Sequence, residues 1–167
     1  MKKILIALVA ILMVLPVMLA ACGKSEKTLE DIKKTGTITM ATCSGFEPFE
    51  ILGTDGKVTG VDVDIAQAIA DYLGVKLEIA DVDFDSIVPG VQSGKFDLGV
   101  AGITANDARR KNVDFSADYY TASQAIIVLS TNTTITSAED VKKLTVGVQK
   151  GTTGASYCEE NGIKYNS

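Results

Sequence analysis

The chain has 167 residues, enough for one or two domains, and its 46% hydrophobic and 22% charged residues describe a globular rather than a disordered polymer. It contains no His and no Trp, so histidine triads and His-ligated metal sites are excluded. The formal net charge is -5 and no basic patch stands out, which argues against a nucleic-acid partner.

Residues 1–21 read as a targeting segment. Lys2 and Lys3 form a positive start, Ile4 to Leu19 form an apolar run interrupted by Pro16, and Leu19-Ala20-Ala21-Cys22 follows. Two small residues before a cysteine resemble the lipobox of bacterial lipoproteins, which are cleaved before a cysteine that carries a diacylglycerol. The alternative is a transmembrane anchor, because the run is nearly long enough to span a bilayer. Pro16 and the Leu-Ala-Ala-Cys end favour the cleaved signal. Loss of Lys2 and Lys3 would take the net charge from -5 to -7. The expectation is a chain lipidated on Cys22 and anchored to the outer face of the bacterial cell membrane or in the periplasm. Cys43 and Cys158 remain, too far apart in sequence to define a disulfide framework, and read as unpaired thiols.

Residues 23–36 are polar and charged and read as a tether ending in a helical turn stopped by Gly36. Thr37 to Thr42 alternates as a strand. Cys43-Ser44-Gly45-Phe46-Glu47-Pro48-Phe49 is a loop in which Phe46 reads either as core or as a ligand-stacking wall. Asp55-Gly56 between Glu50–Leu52 and Lys57–Thr59 signals a hairpin. A helix over about 64–73 presents Ile65, Ile69 and Leu73 on one face and is capped by Gly74. Val75 to Ile79 is a strand, Asp83 to Ser86 opens a second helix that Gly94 ends, and Asp97 to Ala101 is a third, buried strand. This alternation predicts a parallel sheet, with ligands at the carboxyl ends of its strands. The loops at 43–49 and 102–104 fall at those ends.

The stretch Gly99 to Tyr120 carries the most chemistry. The turn Gly102-Ile103-Thr104 offers backbone N–H groups and a hydroxyl, and a short helix brings Arg109, whose planar fork suits a carboxylate. An ordinary connection with a solvated Arg109 is the plain alternative. Val113 to Phe115 reads as a strand leaving that helix. Further on, Gln124 to Leu129 is an apolar strand, Ser137-x-x-Asp140 is a capping box, Leu144 to Val148 is a strand, and Gln149 to Gly154 leads into a helix over about 154–161. Gly151, Thr152 and Thr153 at that helix start suit an anion or simply cap the helix. No Lys follows Gly151, so this is not a phosphate loop.

The segments GVDVDIAQAIADYLG, DFDSIVPGVQSGKFDLGVAGIT, RRKNVDFSADYY and VGVQKGTTG resemble the polar amino-acid family of extracellular solute-binding proteins, the receptors of ABC amino-acid importers. The match runs from about Thr37 to Tyr157. The resemblance implies an α/β, periplasmic-binding-protein-like fold of two lobes with mostly parallel sheets. Lobe 1 would occupy 37–118, a first hinge strand 119–123 and an incomplete lobe 2 residues 124–167, after the signal peptide (1–21) and tether (22–36). Carried over by position, Phe46 and Phe84 would flank the ligand side chain. Gly102 and Thr104 would contact its backbone end, Arg109 its α-carboxylate, and Gln149, Thr152 and Thr153 would close from lobe 2.

Cys43 stands where many members place a carboxylate. With no fixed charge there, a neutral amino acid is expected over a cationic one. Val61 stands where the family usually has a larger residue. Family members are longer, so the second lobe is expected to be truncated at Ser167. The implied partners are a free amino acid, the membrane subunits of an ABC transporter and the membrane itself through the lipid, with no cofactor, no metal and no catalytic residue. Two other readings stay open. One is a dehydratase-like cleft enzyme of the same fold, needing a general acid for which Cys43, Glu47 and Asp83 are the candidates. The other is a sensor module of a larger protein.

Overall fold

The computed structural model describes residues 27–167. The expectations for the targeting segment and Cys22 lie outside these residues. The tether ends in helix α1 (Leu29–Thr35), opened by a reciprocal Thr28–Asp31 capping box and closed by Gly36 in the left-handed region. Strand β1 (Thr37–Thr42) follows. A two-residue hairpin, β2 (Ile51–Leu52) and β3 (Val58–Thr59), pairs antiparallel around Asp55-Gly56, as expected. Then come α2 (Val61–Leu73), β4 (Lys76–Asp81), α3 (Phe84–Gln92), β5 (Leu98–Gly99) and α4 (Asp107–Arg110). The sheet order is β4-β1-β5, with both pairings parallel.

This sheet is covered on both faces, as a parallel sheet requires. On one side Ile38 of β1 packs with Ile32 of α1 and Ala70 of α2. On the other, Ala41 packs with Ile87 of α3, Phe96 and Ala101. Helix α2 is turned from its expected orientation. Its buried stripe is Asp62, Ala66 and Ala70, while Ile69 is exposed and Leu73 only flanks the core. The small side chains of Ala66 and Ala70 are the fully buried ones, and Ala70 packs with Ile32 and Ile38.

A second, smaller α/β unit follows. It contains α5 (Ala138–Val141), β6 (Thr145–Gly147), α6 (Thr153–Glu160) and β7 (Lys164–Asn166), with β6 and β7 parallel. Its core is Val141, Cys158 and Ile163. The Ser137–Asp140 capping box forms as read. β7 was not foreseen. Cys43 and Cys158 are both free thiols.

Three expected strands do not form, and one of them is the hinge segment 119–123, which runs as irregular chain. Residues 113–115 are irregular, held by the Val113 amide on the Arg109 carbonyl and by Arg110 lying 5.4 Å over the Phe115 ring. Residues 124–129 also stay outside any ladder, with Ile127 94% and Leu129 80% exposed. Apolar composition supplies propensity, but a strand exists only with a hydrogen-bonded neighbour. Among the described residues this run has none.

Candidate functional site

The carboxyl ends of β1 and β5 converge with the start of α6. The loop after β1 is fixed by backbone bonds. Amides of Gly45 and Phe46 donate to the Glu50 carbonyl, and amides of Val61 and Asp62, at the start of α2, donate to the carbonyls of Pro48 and Phe49. Gly60 permits this docking. Its φ is +124°, and a Cβ there would lie 2.4 Å from the Phe49 oxygen. Ser44 is tied to the end of β4, donating from its amide (2.8 Å) and hydroxyl to the two Asp81 oxygens.

Phe46 is not core. It is 56% exposed, stacks on Phe49 with centroids 5.6 Å apart, and lies over Gly102, where an added Cβ would come 3.2 Å from its ring. Gly102 opens the turn after β5. Its amide is already used, donating to Asp62 Oδ2 at 2.7 Å. The backbone donor expected there is therefore committed inside the protein, and what Gly102 can offer a ligand is its carbonyl.

Asn106 caps α4 by accepting from the Arg109 amide at 2.9 Å, which sets the direction of the arginine. The guanidinium lies 5.5 Å over the Phe84 ring. Nη1 donates to the Thr104 carbonyl (2.7 Å) and Nη2 to the Gly151 carbonyl (2.9 Å) of the smaller unit. These bonds use two of five N–H donors. Burial draws the guanidinium below its ordinary value, though such a group stays charged.

The smaller unit meets the larger one through the loop before α6. Gln149 Nε2 donates to Cys43 Sγ at 3.4 Å, and Lys150 pairs with Asp85 at 2.7 Å. Gly151, at φ +75°, sits so close that a Cβ would come 2.8 Å from the Asp85 Cβ. Thr152 caps α6, accepting from the Ala155 amide and donating to the Gln149 carbonyl. Thr153 accepts from Gln124 Nε2 at 2.8 Å. Burial pushes the Cys43 thiol up, so it is a neutral wall rather than a charge.

The structure thus gathers Cys43 with Gln149, Phe46 with Gly102, and Phe84 with Arg109 and Thr104. Thr152 follows on the same loop, while Thr153 is engaged with residue 124. Three residues escaped the sequence reading: Glu50, Asp62 and Tyr119. Asp62 is fully buried and its second oxygen accepts from the Tyr119 hydroxyl at 2.9 Å. Burial and the Asp62 carboxylate push the Tyr119 phenol upward. The sequence signal was present, since Asp62 shares an i, i+4, i+8 stripe with Ala66 and Ala70.

Residues 38–156 match the family described as bacterial extracellular solute-binding proteins, family 3. The chain belongs to that family. It is 40% identical over 151 residues to the arginine-binding extracellular protein ArtP of Bacillus subtilis, covering 90% of this chain and 57% of that protein. An ancestral arginine-binding protein bound to arginine superposes with a TM-score of 0.73 at 44% identity, covering 78% of this chain and 60% of the other. The ancestral amino acid-binding protein AncCDT-1, a precursor of cyclohexadienyl dehydratase, gives 0.77 at 39%, covering 83% and 63%. The chain therefore spans less than two thirds of the length of these relatives. Its fold is that of periplasmic-binding-protein-like amino-acid binders, and the family is extracellular.

Proposed function

We propose that this chain is the binding part of an extracytoplasmic receptor that holds one free amino acid and delivers it to an ABC importer. The larger and smaller units act as lobes 1 and 2, joined through residues 119–123. The observation that carries this reading is Arg109, held over Phe84 and bonded at once to Thr104 and, across the cleft, to Gly151. A ligand carboxylate takes the fork in place of the Gly151 carbonyl, with Thr152 closing over the same end. The Gly102 carbonyl receives the α-ammonium. Phe46, Phe84, Cys43 and Gln149 surround the side chain. Cys43 and Gln149 bring no charge, which supports a neutral side chain such as that of glutamine.

A cationic ligand is the second reading, supported by the arginine-binding relatives and by Asp81, held beside the Cys43 loop by Ser44. A dehydratase-like enzyme is the weaker alternative, supported only by the AncCDT-1 likeness. Ligand-observed NMR on the full chain with glutamine, leucine, arginine and cystine separates these readings. Preferential binding of glutamine or leucine, returned unchanged, supports the proposal. Binding of arginine alone replaces the ligand class. Binding of none, or chemical conversion, overturns the receptor reading.

We also propose lipidation of Cys22 as the membrane anchor. Two or more acyl chains hold a protein stably where one does not. Cys22→Ser is expected to release the protein from membranes or leave it unprocessed. Unchanged retention and processing would point to an uncleaved helix.

A further inference from the structure

Glu50 and Asp62 are both fully buried beneath the turn that carries Gly102. Asp62 has a donor on each oxygen, the Gly102 amide on Oδ2 and the Tyr119 hydroxyl on Oδ1, with acceptor capacity left over. Glu50 is the opposite case, since neither of its oxygens meets an N–H or O–H donor. A buried carboxylate without donors is among the costliest groups a protein can hold. The Asp62 amide bonds the carbonyl of Phe49, the residue before Glu50, so the two buried acids are neighbours, and each disfavours the other's charge. Two carboxylates in contact cannot both be ionised, and a single proton between them turns repulsion into a hydrogen bond. The ionisable groups around Glu50 are Asp62 on α2, Asp81 at the end of β4, Tyr119 after α4, and the Cys43 thiol on its own loop. None of these is cationic, so among the described residues nothing in this group offsets a negative charge.

We propose that Glu50 and Asp62 are positioning residues that act as one proton-sharing pair: the proton on Glu50 bonds Asp62 and keeps that carboxylate aimed at the Gly102 amide and the Tyr119 hydroxyl. One proton thereby fixes the turn that leads to Thr104 and Arg109 together with the first segment joining the two units. Loss of the proton sets two negative charges against each other in a site without counter-ions, and the Gly102 bond is released. The consequence for ligand affinity rests on the receptor reading above, whereas the anchor itself does not. Burial, then the contact with Asp62, raises the Glu50 carboxyl to about 8, so release falls on the alkaline side of neutrality.

The test is amide hydrogen exchange of Gly102, followed by NMR on the full chain without ligand, at about pH 6.5 and about pH 9.5, with rates divided by their intrinsic values. Ala41, in the central strand, reports global opening. The expected result is that Gly102 protection in the wild type falls by about tenfold or more while Ala41 changes less, and that Glu50→Gln keeps Gly102 protected at both pH values. A purely structural Glu50 would not move this pH profile. Equal wild-type protection at both values overturns the proposal, as does the same fall in Glu50→Gln. Should Glu50→Gln not fold, the wild-type profile alone decides. No ligand enters the measurement, so failure to bind an amino acid would refute the receptor reading and leave this result standing.

Discussion

At Arg109, three features coincide that a solvated surface arginine would lack: a capped backbone, an aromatic face at 5.5 Å and a carbonyl from the opposite unit. A charge-assisted hydrogen bond is worth about 1.5–3 kcal/mol, and a forked pair makes two. Arg109→Ala is therefore expected to weaken amino-acid binding by at least about a hundredfold, with Arg109→Lys recovering little because a point charge cannot fork. Calorimetry or NMR titration giving near-wild-type affinity for Arg109→Ala would remove the carboxylate role. Gly151 supplies a second contrast. Gly74 has almost the same positive φ as Gly151, but a Cβ at Gly74 meets open space, whereas one at Gly151 meets Asp85. Both alanine variants bear the left-handed strain of about 1–2 kcal/mol. Gly151→Ala is expected to show an additional loss of the Lys150–Asp85 contact, visible as a larger radius of gyration by small-angle scattering. Identical scattering for the two variants would mean that the close approach at Gly151 does not hold the units together.

Among the elements, α2 shows what periodicity can and cannot decide. The sequence shows a helix there with its αL glycine cap, and both form, but the apolar i, i+4, i+8 set Ile65, Ile69 and Leu73 is rotated off the centre of the interface by the smaller set beside it. This has a direct consequence. Ala70→Leu, placed under zero exposure against Ile32 and Ile38, is expected to cost about 1–3 kcal/mol by overpacking. Ile69→Ala, at an exposed position, is expected to cost less than about 1 kcal/mol. Urea unfolding of the two variants checks the order, and the reverse order would restore the face read from the isoleucines. Elements whose signals are local were legible: the Asp55-Gly56 hairpin, the Ser137–Asp140 box, the Thr152 start of α6. Those that depend on a distant neighbour were not. Residues 113–115 and 124–129 carry strand composition without a ladder, and β7 forms from a short polar stretch because β6 lies alongside. The same division holds at the site. The nearness of Arg109 to Thr104 was legible from their spacing, and Gln149 was placed only by the family resemblance. The roles of Glu50, Asp62 and Tyr119 depend on three segments meeting in space.

For the whole molecule, the titrating groups set opposing slopes of stability with pH. Glu50 has a folded value near 8 against an ordinary 4.5, so between those values the folded chain holds a proton the unfolded chain has lost. The part of stability due to Glu50 therefore falls as pH rises through that window and is gone above it. Asp31 is held low by the Thr28 hydroxyl and amide, and Asp140 by the amides and hydroxyls of Thr136 and Ser137. At Asp97 burial opposes ionisation, but bonds from Lys27 and Thr39 outweigh it. Their folded values are depressed, so what they contribute is present above about pH 4 and is lost as pH falls. The maximum is expected in mildly acidic solution, near about pH 5, and Glu50→Gln is expected to flatten only the alkaline limb. Urea midpoints across the range check this, and an unchanged alkaline limb in the variant would assign the decline to other groups.

If Arg109 holds a ligand carboxylate as proposed, its bond to the Gly151 carbonyl would bear on unloading rather than on capture. The guanidinium would not be left bare when the carboxylate goes, because a neutral internal acceptor from the opposite unit is at hand to receive it. On the receptor reading proposed above, the departing solute would be exchanged for a backbone oxygen, which would lower the barrier to dissociation and shorten residence. Such an exchange would trade tightness for turnover.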